Sequence, residues 1–357
     1  MDKIAMISGA KGQDASYLAE LLLSKGYFVV ALERPSNKTD YENIIHLLDD
    51  ERYDLEQCDI TDLERLSFLV SKYKPIEFYN LAAQSFVGVS WESPVETCES
   101  NFLGVLNCLE AIRKGSPSTK FLQASTSESY GDVKTSPQNE ETEALPRNPY
   151  GVSKYAAEHL VNIYRDHHSI FACFARSFNH ESPRRGKNFV TRKITSSIAE
   201  MWEQVVDDEC LFEDYLSSYP DANELFKKAM DSGIITQIPL GNIEAERDWS
   251  HAEDVVRGFY LMLQQDSPDD FVFASGISNS IEKLLSAAFD CINISDWKDL
   301  IVIDPRFYRP TEVNMLVGDS SKAKKELGWN PEISFRTLVE DMVRNDIEIV
   351  IENRRNM

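Results

Sequence analysis

The N-terminal segment most constrains how this chain can fold. A short apolar strand over Lys3–Ser8 runs into a glycine turn at residues 9–12. An amphipathic helix follows and ends at residues 25–26, and a second apolar strand spans residues 28–32. Strand, glycine turn, helix and strand in this order form a βαβ unit, which receives a dinucleotide pyrophosphate at the helix N-terminus. Because the flanking elements are the required ones, the turn predicts a nucleotide cofactor.

Strands and helices continue to alternate beyond this unit. A strand at 56–58, a helix at 62–73, a strand from Phe78 and a helix at 101–113 follow one another with short links. This alternation predicts an α/β fold, a Rossmann-type doubly wound parallel sheet with a smaller C-terminal α/β substrate lobe. We expect residues 1–178 to be mainly the cofactor-binding domain and residues 179–357 mainly the interleaved substrate-binding lobe.

The end of the second strand bears on the choice of cofactor. An acid at this place binds the ribose of NAD, whereas an arginine beside a hydroxyl binds the 2′-phosphate of NADP. Arg34 and Ser36 therefore predict NADP, and the preceding Glu33 leaves NAD open. After the next strand, Asp59 and Ile60 are placed to border an adenine.

Residues 123–154 carry the chemistry. Tyr150 and Lys154 lie one helical turn apart on one face. A phenol ionises near pH ~10, and a neighbouring ammonium lowers that pKa. Upstream, Thr126 offers a hydroxyl and Glu128 a second acid or base; in an extended strand end the two side chains would face the same side. The predicted catalytic set is Thr126, Glu128, Tyr150 and Lys154.

Composition excludes several classes of partner. A net charge of −22 argues against a nucleic-acid or anionic-membrane partner. No apolar run approaches the ~20 residues of a membrane span, and the N-terminus lacks a signal-peptide pattern. The six cysteines contain no C-x-x-C pair and the six histidines have no metal-ligand spacing. We therefore expect a cytoplasmic protein with reduced cysteines and no metal.

Charge is unevenly distributed along the second half. After a strand predicted at 170–174, residues 176–186 form a polar, cationic loop, and the helix predicted at Val190–Val205 adds Arg192 and Lys193. In so acidic a chain this concentration of cations predicts anion binding. Residues 203–233 are strongly acidic, with apolar residues at helical spacing, which predicts a solvated helical insertion.

Several segments together carry a family resemblance. They are Gly-Gln-Asp-Ala-Ser-Tyr-Leu-Ala-Glu (12–20), Ser-Thr-Ser-Glu (125–128), Asn-His-Glu-Ser-Pro-Arg-Arg-Gly (179–186), Phe-Val-Thr-Arg-Lys-Ile (189–194) and Asp-Pro-Arg-Phe-Tyr-Arg-Pro-Thr-Glu-Val (304–313). Over almost its whole length the chain resembles the extended short-chain dehydrogenase/reductases, and among them the GDP-mannose 4,6-dehydratases. The resemblance implies a hydro-lyase with bound NADP, a GDP-sugar substrate and a homo-oligomer, dimer or tetramer. In a tetramer of this kind the loop carrying Arg184 and Arg185 reaches a neighbouring subunit's cofactor.

The glycine turn, the strand ends and the resemblance together give the predicted ligand contacts. The cofactor residues are Gly9, Gly12, Gln13, Asp14, Arg34, Ser36, Asp59, Ile60, Leu81, Ala82, Ala83, Ser85, Tyr150, Lys154, Asn179, His180 and Arg185. The substrate residues are Ser85, Asn179, Lys193, Arg247, Arg306 and Glu312. The chain departs from the family pattern at Pro35, where a second arginine is usual, at 203–233, which is longer and more acidic, and at 293–300, which is shorter.

The residue types fit an elimination that needs a temporary ketone. The C5 hydrogen of a hexose becomes acidic only when C4 is a carbonyl, so oxidation at C4 must precede loss of water from C5 and C6. Tyr150 is the expected base at O4, and Glu128 the acid and base at C5 and O6. The sequence leaves open a GDP-heptose as substrate, a 4-reductase or epimerase of the same fold, and a non-catalytic cofactor sensor.

Overall fold

The computed structural model describes residues 3–36, 41–207, 209–308 and 315–355. Its strands are β1 (Lys3–Ser8), β2 (Tyr27–Glu33), β3 (Tyr53–Gln57), β4 (Glu77–Asn80), β5 (Lys120–Thr126), β6 (Ala172–Ser177), β7 (Asn179–Glu181), β8 (Ile238–Leu240), β9 (Glu246–His251), β10 (Phe271–Phe273), β11 (Ser278–Ser280), β12 (Ile301–Ile303) and β13 (Met315–Leu316). Its α-helices are α1 (Gln13–Ser24), α2 (Leu63–Tyr73), α3 (Val87–Glu92), α4 (Pro94–Cys98), α5 (Gly104–Gly115), α6 (Pro149–His168), α7 (Val190–Val205), α8 (Phe212–Ser218), α9 (Asn223–Asp231), α10 (Ala252–Leu263), α11 (Ile281–Asp290), α12 (Ser321–Leu327) and α13 (Phe335–Arg355). Short 3₁₀ turns lie at Ile45–Leu47, Ser127–Ser129, Lys298–Leu300 and Pro305–Phe307, and a π-helical turn at Glu99–Leu103.

The chain divides into two compact units. The first comprises Met1–His180, Ala252–Ile277 and Leu316–Glu332. The second comprises Glu181–His251, Ser278–Met315 and Ile333–Met357. The assignment of cofactor to the first and substrate to the second stays a prediction.

The first unit is built on a parallel sheet. Among the described residues, seven strands pair in the order β10-β6-β5-β4-β1-β2-β3, and every pairing is parallel. The predicted doubly wound α/β fold is therefore confirmed. The chain reverses its direction across the sheet between β1 and β4, and ligands of such sheets bind outside the strand ends at this switch point.

Helices cover both faces of this sheet. On one face α1, α10 and α12 enclose a core that includes Leu18, Phe259 and Trp329. On the other face α2, α5 and α6 pack around residues such as Leu69, Phe78 and Val161. Burial on both faces explains why the central strands are almost continuously apolar.

The second unit has its own core. Helices α7, α11 and α13 pack against one another, while β9 pairs antiparallel with β11 and β8 pairs parallel with β12. A buried ion pair crosses this core: the Arg192 Nη2 atom lies 2.6 Å from Asp346 Oδ1, and Thr195 donates a hydrogen bond of 2.6 Å to the same carboxylate.

The acidic insertion corrects one expectation. Residues 203–233 are helical as predicted, but they are not merely solvated, because Tyr215 and Phe226 are fully buried in the core of the second unit. The Trp202 ring lies 5.8 Å from that of Tyr215, and the Tyr215 hydroxyl donates to the Ile292 carbonyl at 2.7 Å. The carboxylates occupy the outer face of α8 and α9. The inward apolar face of each helix is enough to pack that helix against the core.

A second correction concerns β6. The strand was expected at residues 170–174, with Arg176 opening a cationic loop. It spans Ala172–Ser177 instead, and Arg176 is buried within it. A buried charge needs a partner, and Arg176 has one in Glu158. Within the described ranges, no helix is both long enough and apolar enough to cross a bilayer.

Candidate active site

The end of β5 and the turn after it position the first two catalytic candidates. Thr126 is the last residue of β5, and its hydroxyl oxygen accepts a hydrogen bond of 3.2 Å from the Glu128 backbone N–H. Glu128 therefore lies in a 3₁₀ turn, not in an extended strand end as the sequence suggested. The side-chain hydroxyl causes the difference, because it caps the turn and ends the strand.

Asn148 joins this turn to helix α6. Its side-chain N–H donates to Glu128 Oε2 at 2.9 Å, and its carbonyl oxygen accepts from the Gly151 N–H at 2.8 Å as the N-cap of α6. Gly151 allows the approach: a Cβ there would lie 2.6 Å from the Glu128 carbonyl oxygen. The sequence signal for Asn148 was its place directly before Pro149 at the helix start.

Tyr150 and Lys154 occupy the first turns of α6, and both are buried. The Lys154 ammonium donates to the Ala124 carbonyl at 2.8 Å and lies 6.0 Å from the centre of the Tyr150 ring. Burial lowers the pKa of Lys154 to about 8, with the carboxylates of Asp14 and Glu158 acting in the opposite direction. A protonated lysine favours the ionised form of a nearby phenol. With a pKa of about 8, Lys154 has this effect only while it keeps its proton.

A buried ion pair backs these residues. Glu158, one turn beyond Lys154, accepts from Arg176 Nη2 at 2.6 Å and from the Ser125 hydroxyl. Ser125 immediately precedes Thr126 in β5. The pair therefore fastens α6, β5 and β6 to one another behind the catalytic candidates. Sequence reasoning missed it because the three residues meet only in the folded sheet.

Asn101 is a further residue that the sequence did not single out. It is buried in the π-helical turn, where its side chain accepts from the Gln84 backbone N–H at 2.8 Å and donates to the Ser153 hydroxyl at 3.2 Å. It thus joins the exit of β4 to helix α6. An irregular helical turn is often found at a functional site.

The glycine turn fits closely against the exit of β4. Gly9 has a φ of +77°, and a Cβ there would lie 3.0 Å from Ala82 backbone atoms. The Ser8 hydroxyl accepts from the backbone N–H groups of Leu81 and Ala82, each at 3.1 Å. The backbone of Gly9 and Ala82, with little or no side chain, thus lies at the switch point. A dinucleotide can approach such a backbone closely.

Gln13, Asp14 and His180 form a second cluster beside this turn. The His180 ring nitrogen Nε2 lies 3.0 Å from Asp14 Oδ2, and the Gln13 amide donates to the His180 carbonyl at 3.1 Å. Asn179 precedes His180 in β7. The structure thus brings together predicted cofactor residues that are far apart in sequence. His180 and Asp14 are separated by 166 positions.

The remaining predicted cofactor residues of the first unit lie at strand ends. Arg34 and Ser36 are exposed after β2, whereas Glu33 is buried. After β3, Asp59 accepts from Thr61 and Ile60 is buried. After β4, Ala83 is partly buried and Ser85 is exposed.

In the second unit, two of the predicted ligand residues, Lys193 and Arg306, both lie near Asp304. Lys193 donates to the Pro239 carbonyl at 2.6 Å and lies 3.6 Å from the centre of the Phe307 ring. Burial lowers its pKa, while Asp304 acts in the opposite direction. Arg306 pairs with Asp304 at 2.6 Å and holds the pKa of that carboxyl below its usual range.

Two other predicted contacts, Arg247 and Arg185, have separate surroundings. Arg247 is buried in β9 and donates to the Glu246 carbonyl at 2.7 Å. Arg185 lies 3.0 Å from Glu181 and over the Phe189 ring at 3.5 Å. Glu312 lies outside the described residues. Within the described part of the chain, no cluster of His, Cys, Asp or Glu could hold a metal ion.

The sheet order, the glycine turn and the Tyr150–Lys154 pair define a protein of the short-chain dehydrogenase/reductase type. The sequence model of the GDP-mannose 4,6 dehydratase family matches residues 6–211 and 226–342. A GDP-mannose 4,6 dehydratase from Drosophila melanogaster is 40% identical over 376 residues, which cover 99% of this chain and 88% of the relative. The chain belongs to the GDP-mannose 4,6-dehydratase family. The unmatched residues 212–225 contain helix α8.

Solved structures share the fold. A dTDP-glucose 4,6-dehydratase from Bacillus anthracis in complex with NAD has a TM-score of 0.76 at 18% identity, covering 96% of each chain. RMD from Pseudomonas aeruginosa complexed with NADPH has a TM-score of 0.73 at 23% identity, covering 98% of this chain and 99% of that one.

Proposed function

We propose that the protein is a GDP-mannose 4,6-dehydratase that removes water from C5 and C6 of the sugar and leaves a ketone at C4. The observation that carries this proposal is the two hydrogen bonds of the Asn148 side chain. They connect the Glu128 carboxylate to the first turn of the helix that bears Tyr150. The carboxylate proposed for the elimination is thereby tied to the helix start that carries the base proposed for the oxidation. The family match supports the same reaction, since its relatives carry that name.

The cofactor in this proposal is NADP, with the pyrophosphate over the glycine turn. Three features fit it: the bare backbone at Gly9 and Ala82, the exposed Arg34 and Ser36 after β2, and the Tyr150–Lys154 pair beside the switch point. A bound nicotinamide would supply a hydride acceptor for C4 and a hydride donor for C6, so that no net oxidation occurs.

The chain's own residues would perform the proton transfers. Tyr150 takes the O4 proton, aided by the Lys154 charge, and the Thr126 hydroxyl holds O4. Once C4 is a ketone, Glu128 removes the C5 proton and returns a proton to the departing O6. Asn148 donates a hydrogen bond to the same carboxylate and so holds the Glu128 side chain in one orientation.

Substrate binding in this proposal falls to the second unit. Lys193 and Arg306, which share Asp304 as a neighbour, would bind the diphosphate of a GDP-sugar, with Arg247 and Glu312 as further contacts. A cytoplasmic location stays a prediction.

We also propose that two copies associate through the outer face of α6. Helices α3 and α4 and the π-helical turn pack against α6, and these four described elements leave five large apolar side chains exposed. They are Trp91, Val95, Leu103, Val152 and Ile163. A second copy of this chain would cover an apolar face that water solvates poorly.

The test uses GDP-mannose deuterated at C4. The wild type should give a 4-keto product that carries this deuterium at C6, and reaction in heavy water should label C5. Glu128→Gln should lose dehydration by about 10²–10⁴-fold, the usual contribution of an acid–base group, with nucleotide affinity retained. Glu141→Gln, at an exposed carboxylate on the same connection, is the matched control. A product without C4-to-C6 transfer would refute the dehydratase mechanism.

A further inference from the structure

Glu33 has an unusual place for a carboxylate at the end of β2. It is only 3% exposed and points into the protein. Its Oε1 atom accepts from the Tyr41 hydroxyl at 3.3 Å and from the Gln57 amide. Its Oε2 atom lies 3.2 Å from the Lys11 ammonium.

Lys11 comes from a different part of the same site. It lies in the glycine turn, between Gly9 and Gly12, and its backbone carbonyl accepts a hydrogen bond of 3.0 Å from the Asn43 side chain. Its ammonium also lies 5.0 Å from the centre of the Tyr41 ring. The turn that would carry the pyrophosphate and the strand end that would meet the ribose are thus joined by one ion pair.

The charge of Glu33 matters for the choice of cofactor. A carboxylate after β2 normally accepts hydrogen bonds from a ribose 2′-hydroxyl, and the same charge repels a 2′-phosphate. Here the carboxylate is occupied by Lys11, Tyr41 and Gln57, so it is not presented to a ribose. A charge in so buried a place is screened little by water.

We infer that Lys11 determines cofactor specificity: its ammonium neutralises Glu33 and so permits a 2′-phosphate to bind beside Arg34. The inference rests on the proposed function in taking the site to be that of a nicotinamide dinucleotide. Lys11 would act on cofactor choice although it lies in the glycine turn and not at the end of β2. The expected penalty for losing Lys11 falls on the phosphate-bearing cofactor alone.

The experiment is calorimetric titration of the full-length protein with NADP⁺, NAD⁺ and the fragment 2′,5′-ADP. Lys11→Met should weaken NADP⁺ and 2′,5′-ADP by about tenfold, the effect of one uncompensated nearby charge, and leave NAD⁺ nearly unchanged. Glu33→Gln should tighten both phosphate-bearing ligands. The double variant should bind NADP⁺ better than Lys11→Met does, because the charge that Lys11 neutralised is gone.

Two controls separate charge from shape. Lys25→Met removes a lysine just beyond the far end of α1 and should change neither affinity. Lys11→Arg should retain the preference of the wild type. Equal weakening of NAD⁺ and NADP⁺ by Lys11→Met, or no recovery in the double variant, would overturn the inference while leaving the proposed function intact. A wild type that binds neither dinucleotide would overturn both.

Discussion

The Arg176–Glu158 pair of the first unit and the Arg306–Asp304 pair of the second have the same chemistry, but their arginines have opposite exposure. In the first pair both side chains are buried, and Glu158 also accepts from Ser125 beside the catalytic strand end. In the second, the Arg306 side chain is 84% exposed, and among the described residues it bonds to the aspartate two positions before it. A buried pair fixes the elements that carry it, whereas an exposed pair can exchange its partner for a ligand.

The same difference fits the proposed division of tasks between the two units. The catalytic candidates are held in place by protein partners: Asn148 for Glu128, Ala124 for Lys154, and Glu158 behind both. Such preorganisation suits proton transfer, which depends on atom positions. The predicted phosphate ligands Lys193 and Arg306 are held by a carbonyl and a local carboxylate, which a diphosphate could replace.

The largest expected effect comes from breaking the buried pair. Glu158→Gln leaves the Arg176 guanidinium buried without a countercharge, and removal of one partner of a buried pair costs about 3–5 kcal/mol of unfolding free energy. Thermal and urea unfolding of the full-length protein measure the change. Asp304→Asn is the matched variant of the exposed pair and should leave the melting temperature unchanged. Equal shifts in the two variants would contradict the comparison.

This prediction could not have come from the sequence. The βαβ unit, the doubly wound parallel sheet and the helix Val190–Val205 could be predicted from it, because hydrophobic periodicity and glycine punctuation are local signals. Glu158 and Arg176 are 18 positions apart on a helix and a strand, and only the packing of α6 on β6 brings them together. A polar strand residue such as Arg176 therefore looked like the start of a loop.

The candidate active site shows the same limit at finer scale. The residue types Thr126, Glu128, Tyr150 and Lys154 stood out in the sequence, and the structure places all four at one strand end and one helix start. Their support by Asn148 did not stand out, nor did the 3₁₀ turn that reorients Glu128. In the acidic insertion, charge density concealed the few inward apolar residues that join the core.

A smaller effect is expected from the buried lysine itself. Burial lowers the pKa of Lys154 from 10.5 to about 8, so keeping it protonated in the folded state costs free energy below pH 8. Lys154→Met should therefore raise the stability at pH 7, by up to about 3 kcal/mol less the loss of the hydrogen bond to Ala124, while abolishing activity. Replacing a catalytic group commonly exchanges function for stability.

The pH dependence of this stabilisation has a definite sign. Between pH 8 and 10.5 the unfolded chain binds the Lys154 proton and the folded chain does not, so wild-type stability rises with pH relative to the variant. The advantage of Lys154→Met should be full below pH 8 and vanish near 10.5. Melting temperatures of both proteins across this range measure it. An advantage that is independent of pH would mean that packing, and not charge burial, causes it.

The smallest expected effect concerns Arg306, the exposed arginine of the two pairs. Arg306→Gln should raise the KM for GDP-mannose by about tenfold, the loss of one charge-assisted hydrogen bond, with little change in kcat, because the proposed role of this residue is to bind the diphosphate and not to act on the sugar. Arg306→Lys should restore only part of the affinity, since an ammonium lacks the planar fork that matches phosphate oxygens. Arg336→Gln removes another exposed arginine that pairs with an acid on its own segment, Glu340, and should leave KM unchanged. A fall in kcat at unchanged KM would show that Arg306 acts after binding, and the second unit would then share in the chemistry that the comparison assigns to the first.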